Sequence, residues 1–573
     1  MARKIVEIDL SGHGIRVEEC PEDLRLLGGR GLTSTSIQRE TDPLCHPLAP
    51  ENLLVIAPGL LAGTGLSSAN RLSAGAKSPL TGGIKEANSG GTAAFKLARL
   101  GIAALKFRGA APRGRCLGLR VSREGCRLED LGFLAGKGIY QTAEALRERF
   151  GARVGLIIAG PAGEMRMSTA CLSVTDPEGE PCRNLGRGGL GAVAGAKGLK
   201  AVIIDDEGAE FRPHDPEATK ALIRDFAARL KAHPVTGEKF PKYGTAMTLM
   251  NVNKLGGLPT RNFSAGSFEG AEGLSGDRLY ETISSRGGQY AHGCMPGCVI
   301  RCSNKYVDPA GKAVVGSLDF ETIGLLGANL GLGDLDQVAE LNKLCNDIGV
   351  DTMETGAALG VLAEGGLFAF GDFPRVRDLI QEIGQGTPLG RLIGSGAAAC
   401  GRAYGLDRVP TVKGQSMAAY DPRAIKGLGL TYALSPMGAD HTAGNAITLA
   451  VDPTDPRVQL EAVRELHWKY TALDTLGICI FTGRVSLANP ELIEQAVRVI
   501  TGWAASWAEL LELGKRILHR ERDFNRRAGF TAAHDRLPAF MLREALPPNR
   551  EVFDVPQADL DSFYDFDREG QLD

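Results

Sequence analysis

The sequence predicts an α+β protein, with a β-rich N-terminal domain over residues 1–206 and two mainly helical domains over 207–408 and 409–573. Two patterns support this division. Short apolar runs separated by glycine, proline and serine turns recur through the N-terminal third, as in strands joined by tight loops. Beyond residue 216, apolar residues recur every three or four positions, which is the period of a helix with one buried face.

The individual elements follow these patterns in order along the chain. The clearest strand predictions are the apolar runs at 53–57, 104–107 and 202–204. A polar, proline-containing segment at 205–216 marks the end of the β-rich domain, and a second boundary is expected near 402–415. No internal repeat is found. Helices are predicted over residues 218–232, 335–348, 352–364, 456–472 and 491–522.

Charge and composition restrict the class of protein. The formal charge of −3 and the pI near 6.4 give no reason to expect nucleic acid or an anionic membrane as a partner. No apolar run approaches the roughly 18 residues that a membrane-spanning helix needs. Twelve cysteines scattered over so long a chain do not suggest a disulfide framework. We therefore expect a cytoplasmic protein with reduced cysteines and no membrane span.

Three cysteines lie close together, at Cys294, Cys298 and Cys302, and Cys479 follows far downstream. Three clustered thiols and one remote thiol are typical of a four-thiolate iron–sulfur cluster. Pro296 and the neighbouring glycines disfavour a helix, and a loop would leave backbone N–H groups free to face cluster sulfurs. Structural zinc, which usually has two short CxxC pairs, and ordinary burial are the alternatives.

Glycine is abundant, with 75 of the 573 residues, and it is clustered along the chain. Two segments, 70–91 and 184–193, combine glycine with asparagine and isolated arginines. Glycine backbones, amides and guanidinium groups together suit a large polar cofactor that carries phosphate. Neither the dinucleotide fingerprint nor a Walker-type loop is present, and glycine-rich turns between strands are the alternative.

Several rare strings of residues occur in one order along the chain. They are GGRGL at 28–32, KSPLT at 77–81, ANSGG at 87–91, GPAGE at 160–164, RGGLGAV at 187–193, ETIG at 321–324, YDPR at 420–423, GADH at 438–441, RDFN at 522–525 and DRLP at 535–538. In these strings the chain resembles the tungsten-containing aldehyde:ferredoxin oxidoreductases, and the resemblance runs nearly from end to end.

This resemblance implies two pterin dithiolenes that hold one tungsten or molybdenum, one 4Fe–4S cluster beside them, and a Mg²⁺ that links the pterin phosphates. The cofactor would lie where the domains meet. The implied cluster ligands are Cys294, Cys298, Cys302 and Cys479. The family's first spacing is CxxC, whereas here three residues separate Cys294 from Cys298. A one-residue expansion of the loop would accommodate the difference.

The same resemblance implies a set of residues that contact the pterins. Arg71 would lie between the pterins near the cluster, Asn88 would contact a pterin, and Arg187 would approach the phosphates. Asn346 stands where the family has an acidic residue, and Asp351 would otherwise be an ordinary helix N-cap. The implied cofactor-binding set is Arg71, Lys77, Asn88, Ser89, Gly90, Gly91, Arg187, Gly188, Gly189, Leu190, Gly191, Asn346, Asp351, Asp474, Gly477 and Ile478.

Glu321 and His441 would, by resemblance, line the substrate pocket as catalytic residues. A carboxyl and an imidazole can polarise an aldehyde carbonyl and move protons during its oxidation. The alternatives are a helix-capping role for Glu321 and a local hydrogen bond between Asp440 and His441. His292, beside the clustered cysteines, and Cys345, beside Asn346, are weaker candidates.

The expected activity is therefore oxidation of an aldehyde to the acid. Electrons would leave through the cluster to ferredoxin or to a dedicated iron–sulfur subunit, which must be a separate chain because the other cysteines are isolated. The alternatives are a catalytic subunit like that of the benzoyl-CoA reductases and a non-catalytic electron-transfer or scaffold subunit. Members of the family often form homodimers, so a homodimer is also open. The sequence determines neither the substrate nor the choice between tungsten and molybdenum.

Overall fold

The computed structural model describes residues 3–12, 14–449 and 451–564. Strands are concentrated in the N-terminal third of the chain and helices in the remainder, which confirms the predicted fold class. The predicted border between the two helical domains, at 408, stays a prediction. In the described residues, no helix is long and apolar enough to cross a membrane.

The first sheet is formed by six strands of the described residues: β1 (Lys4–Asp9), β2 (Gly14–Glu19), β3 (Leu54–Pro58), β4 (Leu72–Lys77), β5 (Ile84–Ser89) and β6 (Ile102–Arg108). Their order across the sheet is β2-β1-β6-β3-β4-β5. β1 and β6 are parallel, and the other neighbours are antiparallel. β3 and β4 are buried along their whole length, which explains their apolar and small residues.

The second sheet of the described chain also has six strands: β7 (Leu117–Ser122), β8 (Gly125–Asp130), β9 (Gly155–Ala159), β10 (Leu172–Thr175), β11 (Pro181–Leu185) and β12 (Leu199–Ile204). Their order is β8-β7-β12-β9-β10-β11, read from the edge that β8 occupies. β7 and β12 are parallel, and the remaining neighbours are antiparallel.

The two sheets repeat one another. Adding six to every strand number of the first sheet gives the order of the second, and each pair of neighbours keeps its parallel or antiparallel sense. The glycines at the ends of the two glycine-rich segments occupy equivalent places, because Gly90 and Gly91 directly follow β5 and the glycines from 186 to 191 directly follow β11. The prediction of no internal repeat is therefore wrong at the level of structure. Equivalent strands carry different side chains, such as IKEANS in β5 and PCRNL in β11, so the repeat is not visible in the sequence.

Helices also occur within the β-rich part, where the sequence patterns predict mostly strands. They are α1 (Gly29–Glu40), α2 (Ala93–Arg99), α3 (Ile139–Phe150), α4 (Pro161–Glu164) and α5 (Leu190–Ala196). α1 is buried from Gly29 through Ile37, between the first sheet and the C-terminal helices. Because its buried residues include polar ones from Thr33 to Ser36, polar and apolar residues are not divided between two faces, and the amphipathic period that predicts helices elsewhere is missing.

The rest of the chain is mainly helical. Its helices are α6 (Pro216–Ala232), α7 (Phe240–Tyr243), α8 (Leu249–Lys254), α9 (Gly276–Ser285), α10 (Phe320–Leu326), α11 (Leu335–Ile348), α12 (Thr352–Glu364), α13 (Phe373–Gln385), α14 (Pro388–Ile393), α15 (Ala397–Tyr404), α16 (Lys426–Leu434), α17 (Pro456–Leu476), α18 (Gly483–Ser486), α19 (Glu491–Thr501), α20 (Trp507–Arg527), α21 (Ala539–Arg543) and α22 (Gln557–Ser562). The remaining strands of the described chain form two small sheets, one of β13 (Gln289–His292), β14 (Ser303–Val307) and β15 (Ala313–Gly316), and one of β16 (Thr411–Val412) and β17 (Gln415–Ser416).

The helical stretch predicted at 491–522 is interrupted. Gly502 adopts φ +82° and ends α19, and Ser506 begins α20 with a capping box in which Glu509 hydrogen-bonds the Ser506 backbone. The helices predicted over 335–348 and 352–364 match α11 and α12. Local capping chemistry therefore decides where the C-terminal helices begin and end.

Candidate functional site

The clustered cysteines lie in an irregular loop between β13 and β14, as predicted from Pro296 and its glycine neighbours. Gly297 adopts φ +78°, a conformation that favours glycine. The loop is bound to the turn that precedes β4. Asn70 Nδ2 donates to the Pro296 carbonyl at 3.1 Å, and the Val299 backbone N–H donates to Ser67 Oγ at 3.1 Å.

The same turn brings Cys479 to the clustered cysteines. Ser68 Oγ donates to Cys298 Sγ at 3.4 Å, and the Ser68 carbonyl accepts the Cys479 backbone N–H at 2.8 Å. A hydrogen bond from Cys294 lowers the pKa of Cys298 to about 6. Burial raises the pKa of Cys302, and the charges of Cys298 and Cys479 raise it further. The four thiols therefore face one another.

The four sulfurs are not drawn together as closely as the ligands of a single zinc ion. In a tetrahedral zinc site with Zn–S bonds of about 2.3 Å, the sulfurs lie about 3.8 Å apart. Among the described residues, one group of His, Cys, Asp or Glu side chains has three ligand atoms within 4.8 Å of one another, and it consists of Asp176, Glu180 and Cys182. No three of the four thiols lie that close together. The indication of a four-thiolate iron–sulfur cluster therefore remains the pattern of three clustered cysteines and the remote Cys479.

Arg71 connects this group of thiols to the glycine-rich segment after β5. Its Nε donates to Asn88 Oδ1 at 2.5 Å, and a terminal nitrogen lies 4.0 Å from Cys479 Sγ. Asn88 in turn donates to Asp474 Oδ1 at 3.2 Å. Gly91 N–H donates to the Cys294 carbonyl at 2.9 Å. Residues predicted to bind the pterin and residues predicted to bind the cluster thus form one hydrogen-bonded group.

Glycine is required where the 474–479 segment crosses the end of β3. Gly477 adopts φ +81°, and a Cβ atom there would lie 2.7 Å from the Gly59 Cα. A Cβ atom on Gly59 would lie 2.2 Å from the Gly477 Cα. The backbones touch, so the Gly477 carbonyl can accept the Arg71 N–H at 3.1 Å.

The second sheet repeats this crossing with the segment that follows α11. Gly349 adopts φ +80°, and its added Cβ would lie 3.1 Å from the Gly160 Cα. Asn184 donates to Asn346 Oδ1 at 3.0 Å, and this hydrogen bond is the equivalent of the one from Asn88 to Asp474 in the first half. We call the place around Asn88, Asp474 and Gly477 the first cradle, and the place around Asn184, Asn346 and Gly349 the second cradle. Their equivalence suits a cofactor with two similar halves. The second cradle has an amide pair where the first has a carboxylate.

Arg187 lies at the second cradle and is buried. Its Nε donates to Asp351 Oδ2 at 3.1 Å, and its terminal nitrogens donate to the carbonyls of Ala439 and Ser416 at 2.8 and 2.7 Å. Asp351 also caps α12 through the Met353 N–H, so its N-cap role coexists with the ion pair. The four residues after Arg187 are buried, and a Cβ on Gly191 would lie 2.2 Å from the Cys171 carbonyl. Those four residues are Gly188, Gly189, Leu190 and Gly191.

Glu321 and His441 are in direct contact. His441 Nε2 lies 3.1 Å from Glu321 Oε1, and the other carboxylate oxygen accepts the Ala419 N–H at 2.8 Å. His441 Nδ1 is buried and has no hydrogen-bond partner in the described residues. The ring of Tyr420 lies 6.0 Å from that of His441, and burial, followed by the charge of Glu321, raises the pKa of Tyr420.

Sequence reasoning missed several buried charged residues around the site. Lys85 Nζ lies 2.6 Å from Asp440 Oδ2, directly before His441. Burial raises the pKa of Asp440, but Lys85, Arg187 and His441 together lower it below its ordinary value. Arg30 forms a bidentate pair with Glu521 at 2.9 and 2.8 Å. In the sequence, Arg30 and Tyr420 could have been recognised because they lie in the strings GGRGL and YDPR, which the chain shares with the family it resembles.

Arg30 also lies 3.4 Å from Asp474, so this one cation faces the carboxylates of both Glu521 and Asp474. Burial raises the pKa of Asp474 to about 6. Burial and the charge of Asp474 raise the pKa of Glu86 to about 8. Glu86, two residues before Asn88, therefore favours its neutral form more than an exposed glutamate does.

Three predicted residues lie away from these contacts. Lys77 is held by the carbonyls of Pro43 and Cys45, the latter at 2.9 Å. His292 Nε2 lies 2.8 Å from Asp176 Oδ2, and both side chains are buried. Cys345 is buried in the helical core. Among the remaining predicted residues, Ser89 is the last residue of β5 and Gly90 follows it. A Cβ atom on Gly90 would lie 3.0 Å from Cys294 Sγ. Ile478 is buried in the same hydrophobic cluster as residues of α17.

The comparisons with known proteins agree over nearly the whole chain. Residues 5–206 match the family described as "Aldehyde ferredoxin oxidoreductase, N-terminal domain", and residues 221–568 match "Aldehyde ferredoxin oxidoreductase, domains 2 & 3". A tungsten-containing aldehyde ferredoxin oxidoreductase of Pyrococcus furiosus is 32% identical over 580 residues, which cover 96% of this chain and 93% of the relative. The protein of the same description from Thermococcus kodakarensis is 32% identical over 579 residues, with the same coverage.

Two further proteins are more distant. The WOR-like subunit of an aliphatic sulfonate oxidoreductase of Pyrococcus furiosus is 25% identical over 560 residues, which cover 91% of this chain and 85% of the relative. Among solved structures, the active-site complex BamBC of benzoyl coenzyme A reductase with 1,5-dienoyl-CoA superposes with a TM-score of 0.81 at 19% identity. That superposition covers 98% of this chain and 94% of the other. At this identity it shows a shared fold.

Proposed function

The chain belongs to the aldehyde ferredoxin oxidoreductase family, and we propose that it oxidises an aldehyde to the carboxylic acid and passes the electrons to a ferredoxin-type acceptor. The observation that carries this proposal is the junction of Arg71 with Asn88 and Cys479, because it joins a cofactor cradle to the thiols. The oxidation takes one oxygen atom from water and releases two electrons and two protons for each molecule of acid formed.

The residues fit the cofactor that the family implies. Cys294, Cys298, Cys302 and Cys479 would hold a 4Fe–4S cluster, and the two cradles would hold two pterin dithiolenes with tungsten, the metal named in the relatives. Arg187 would help to hold the pterin phosphates, and a Mg²⁺ would neutralise part of their charge. When bound, this cofactor takes up the two electrons of the oxidation and releases them singly.

The cradle residues would act through backbone contacts and hydrogen bonds. Gly477 and Gly349 allow the two crossing segments to approach the sheets, so Asp474 and Asn346 can present their side chains to Asn88 and Asn184. The proposed cofactor contacts are Arg71, Asn88, Ser89, Gly90, Gly91, Arg187, Gly188, Gly189, Leu190, Gly191, Asn346, Asp351, Asp474, Gly477 and Ile478, with Lys77 supporting the turn at Pro43 and Cys45.

Glu321 and His441 would manage the protons. Two contacts fix the Glu321 carboxylate, one from the Ala419 N–H and one from His441 Nε2. This pairing leaves His441 Nδ1 as the buried ring nitrogen available to a substrate or a water molecule. His441 can therefore accept a proton at Nδ1, and the neighbouring carboxylate stabilises the imidazolium that results.

The first test is elemental analysis of protein purified without oxygen from a host supplied with tungstate and molybdate. We expect about four irons per chain and about one tungsten or molybdenum, together with oxidation of an aldehyde by benzyl viologen. Iron without either heavy metal would contradict the proposal and indicate an electron-transfer or scaffold subunit. Reduction of a thioester, with no aldehyde oxidation, would instead support the chemistry of the structural neighbour.

A further inference from the structure

Exposed cations lie on three chain segments at and beside the cysteine loop. We define the cluster-side surface by Lys239, Lys242, Tyr290, Arg301 and Arg484, all of which are exposed. Arg301 directly precedes Cys302, and Tyr290 lies four residues before Cys294. The loop itself reaches the surface at Gly297, which is also exposed.

Three chain segments form this surface, and they are packed together. Phe240 and Phe481 are in ring contact at 4.8 Å. These two rings belong to the same hydrophobic cluster as Val299 and Cys302 of the cysteine loop. The start of α7 and the residues just before α18 therefore lie beside the loop. The exposed side chains on these segments are Lys239, Lys242 and Arg484.

The charge of these segments is opposite to that of the whole chain. Segments 231–245, 289–302 and 478–488 contain five cationic residues and one carboxylate, Glu238, whereas the chain carries a formal charge of −3. No described acidic residue forms an ion pair with any of the five cations. The five are Lys231, Lys239, Lys242, Arg301 and Arg484.

Aromatic rings accompany the charges. Lys242 Nζ lies 4.8 Å from the ring centres of both Tyr243 and Tyr280. Tyr280 contacts Tyr290 edge to face at 4.9 Å, and Tyr290 is 44% exposed. Tyrosine and arginine are enriched in protein–protein interfaces, and this surface exposes Tyr290, Arg301 and Arg484.

This surface is separate from the substrate residues. Phe320 and Tyr420, which adjoin Glu321 and His441, belong to the helical core around α10 and α16, whereas the cysteine loop belongs to the cluster with Phe240 and Phe481. A protein bound at the cluster-side surface would therefore approach the thiols without covering the Glu321–His441 pair.

We propose that the cluster-side surface is the docking surface of the electron acceptor, and that this acceptor is a small, acidic iron–sulfur protein. This inference rests on the proposed function, because it names the partner of the same electron pathway. Unpaired cations beside the cluster would attract an acidic partner and orient its own cluster toward Cys298 and Cys302. Each docked acceptor removes one electron, so two encounters complete one aldehyde oxidation.

The test uses the cofactor-loaded enzyme with a small acidic 4Fe–4S ferredoxin. The variant combines Lys239→Glu, Lys242→Glu and Arg484→Glu. We expect kcat/KM for the ferredoxin to fall roughly tenfold or more at low ionic strength, and the difference to shrink as salt is added. Turnover with benzyl viologen, a small acceptor that needs no docking surface, should be unchanged.

The control changes the net charge equally at exposed, unpaired cations on other elements, by combining Arg113→Glu, Arg402→Glu and Arg543→Glu. We expect less than about a twofold change in kcat/KM for the ferredoxin, because the steering depends on charges close to the docking site. Equal losses in both variants, no loss in either, or a matching loss of viologen turnover in the first variant would overturn the docking proposal.

A binding measurement separates this proposal from the proposed function. Calorimetric titration of the ferredoxin into the enzyme reports docking even where no aldehyde is oxidised. Weakened binding in the first variant alone supports the docking surface whatever the substrate is. Failure of aldehyde oxidation with viologen in the unmodified enzyme would contradict the proposed function. The calorimetric result would then still show whether the ferredoxin binds at the cluster-side surface.

Discussion

Lys85 and Asp440 form a buried ion pair, with 2.6 Å between Nζ and Oδ2, and His441 is the next residue along the chain. Lys85 is on β5 of the N-terminal sheet, whereas Asp440 begins a short turn that its carboxylate caps through the Thr442 N–H. This pair therefore fixes a proposed catalytic residue against the sheet that forms the first cradle.

Lys85→Met should disturb both stability and catalysis. Removing one partner of a buried ion pair leaves the other charge uncompensated and costs about 3–5 kcal/mol. We expect a lower free energy of unfolding and reduced aldehyde oxidation, since the turn that carries His441 loses its anchor. The double variant Lys85→Met/Asp440→Asn should recover part of the stability. Denaturation of both variants checks this, and unchanged stability in Lys85→Met would contradict it.

Gly477→Ala should reduce the iron and pterin content. A Cβ there would lie 2.7 Å from the Gly59 Cα, and alanine at φ +81° costs about 1–2 kcal/mol. Gly366→Ala is a matched control, because Gly366 has φ +78° but nothing within 4 Å of an added Cβ. We expect cofactor loss for the first variant alone. Equal cofactor loss in both variants would show that backbone strain, and not the clash with Gly59, causes the effect.

Substitution of the thiols should separate ligands from other cysteines. Cys302→Ser and Cys479→Ser should remove most of the iron and the visible iron–sulfur absorbance, because serine seldom replaces a thiolate ligand. Cys294→Ser tests the unusual spacing of the loop, and the same loss is expected there. The isolated Cys126 supplies the control Cys126→Ser, which should keep its iron. Full iron content in Cys302→Ser would reject the cluster assignment.

Glu321→Gln and His441→Asn should lower kcat while metal content stays unchanged. A positioned acid–base group contributes about 10²–10⁴-fold, and the glutamine keeps the Ala419 contact but loses the charge that stabilises an imidazolium. Tyr420→Phe should cost less, because its ring remains against His441. Kinetics with benzyl viologen and metal analysis of each variant check this. Unaltered kcat in Glu321→Gln would show that the carboxylate is structural.

His467 should make the protein sensitive to acid. Burial, followed by the charges of Arg30 and Lys413, lowers its pKa to about 3, against about 6.5 for an exposed histidine. Below pH 6.5 the unfolded chain therefore binds more protons than the folded one, so stability falls as pH decreases, by about 1.4 kcal/mol per pH unit from this group. His467→Phe should flatten that slope between pH 6 and 4 in chemical denaturation. An identical slope in both proteins would contradict the prediction.

The elements that were predicted correctly have strong local signals. α11 and α12 begin at Asp334 and Asp351, which cap them, and show a clear helical period or an apolar run. The fully buried α1 lacks that period, and the repeat of the two sheets is hidden because β5 and β11 need the same backbone path but no common side chains. Packing, rather than local sequence, determines both features.

The site was predictable only in part. Its cysteines and glycines are unusual residue types at unusual spacing, so the sequence identifies them. The charges that position it are ordinary lysines and arginines. Lys85 meets Asp440 across 355 residues, and Arg30 meets Glu521 across 491, so only the folded chain shows that they are partners.

The bond from Arg71 toward Cys479 spans 408 residues, which has a consequence for biosynthesis. At roughly 5–20 residues per second, a ribosome needs about 20–80 s to add that length of chain. During this interval the first cradle lacks Gly477, Asp474 and its fourth thiol. Cofactor insertion therefore belongs to the end of synthesis or later, and a cell that makes this protein must keep the three earlier thiols reduced until then.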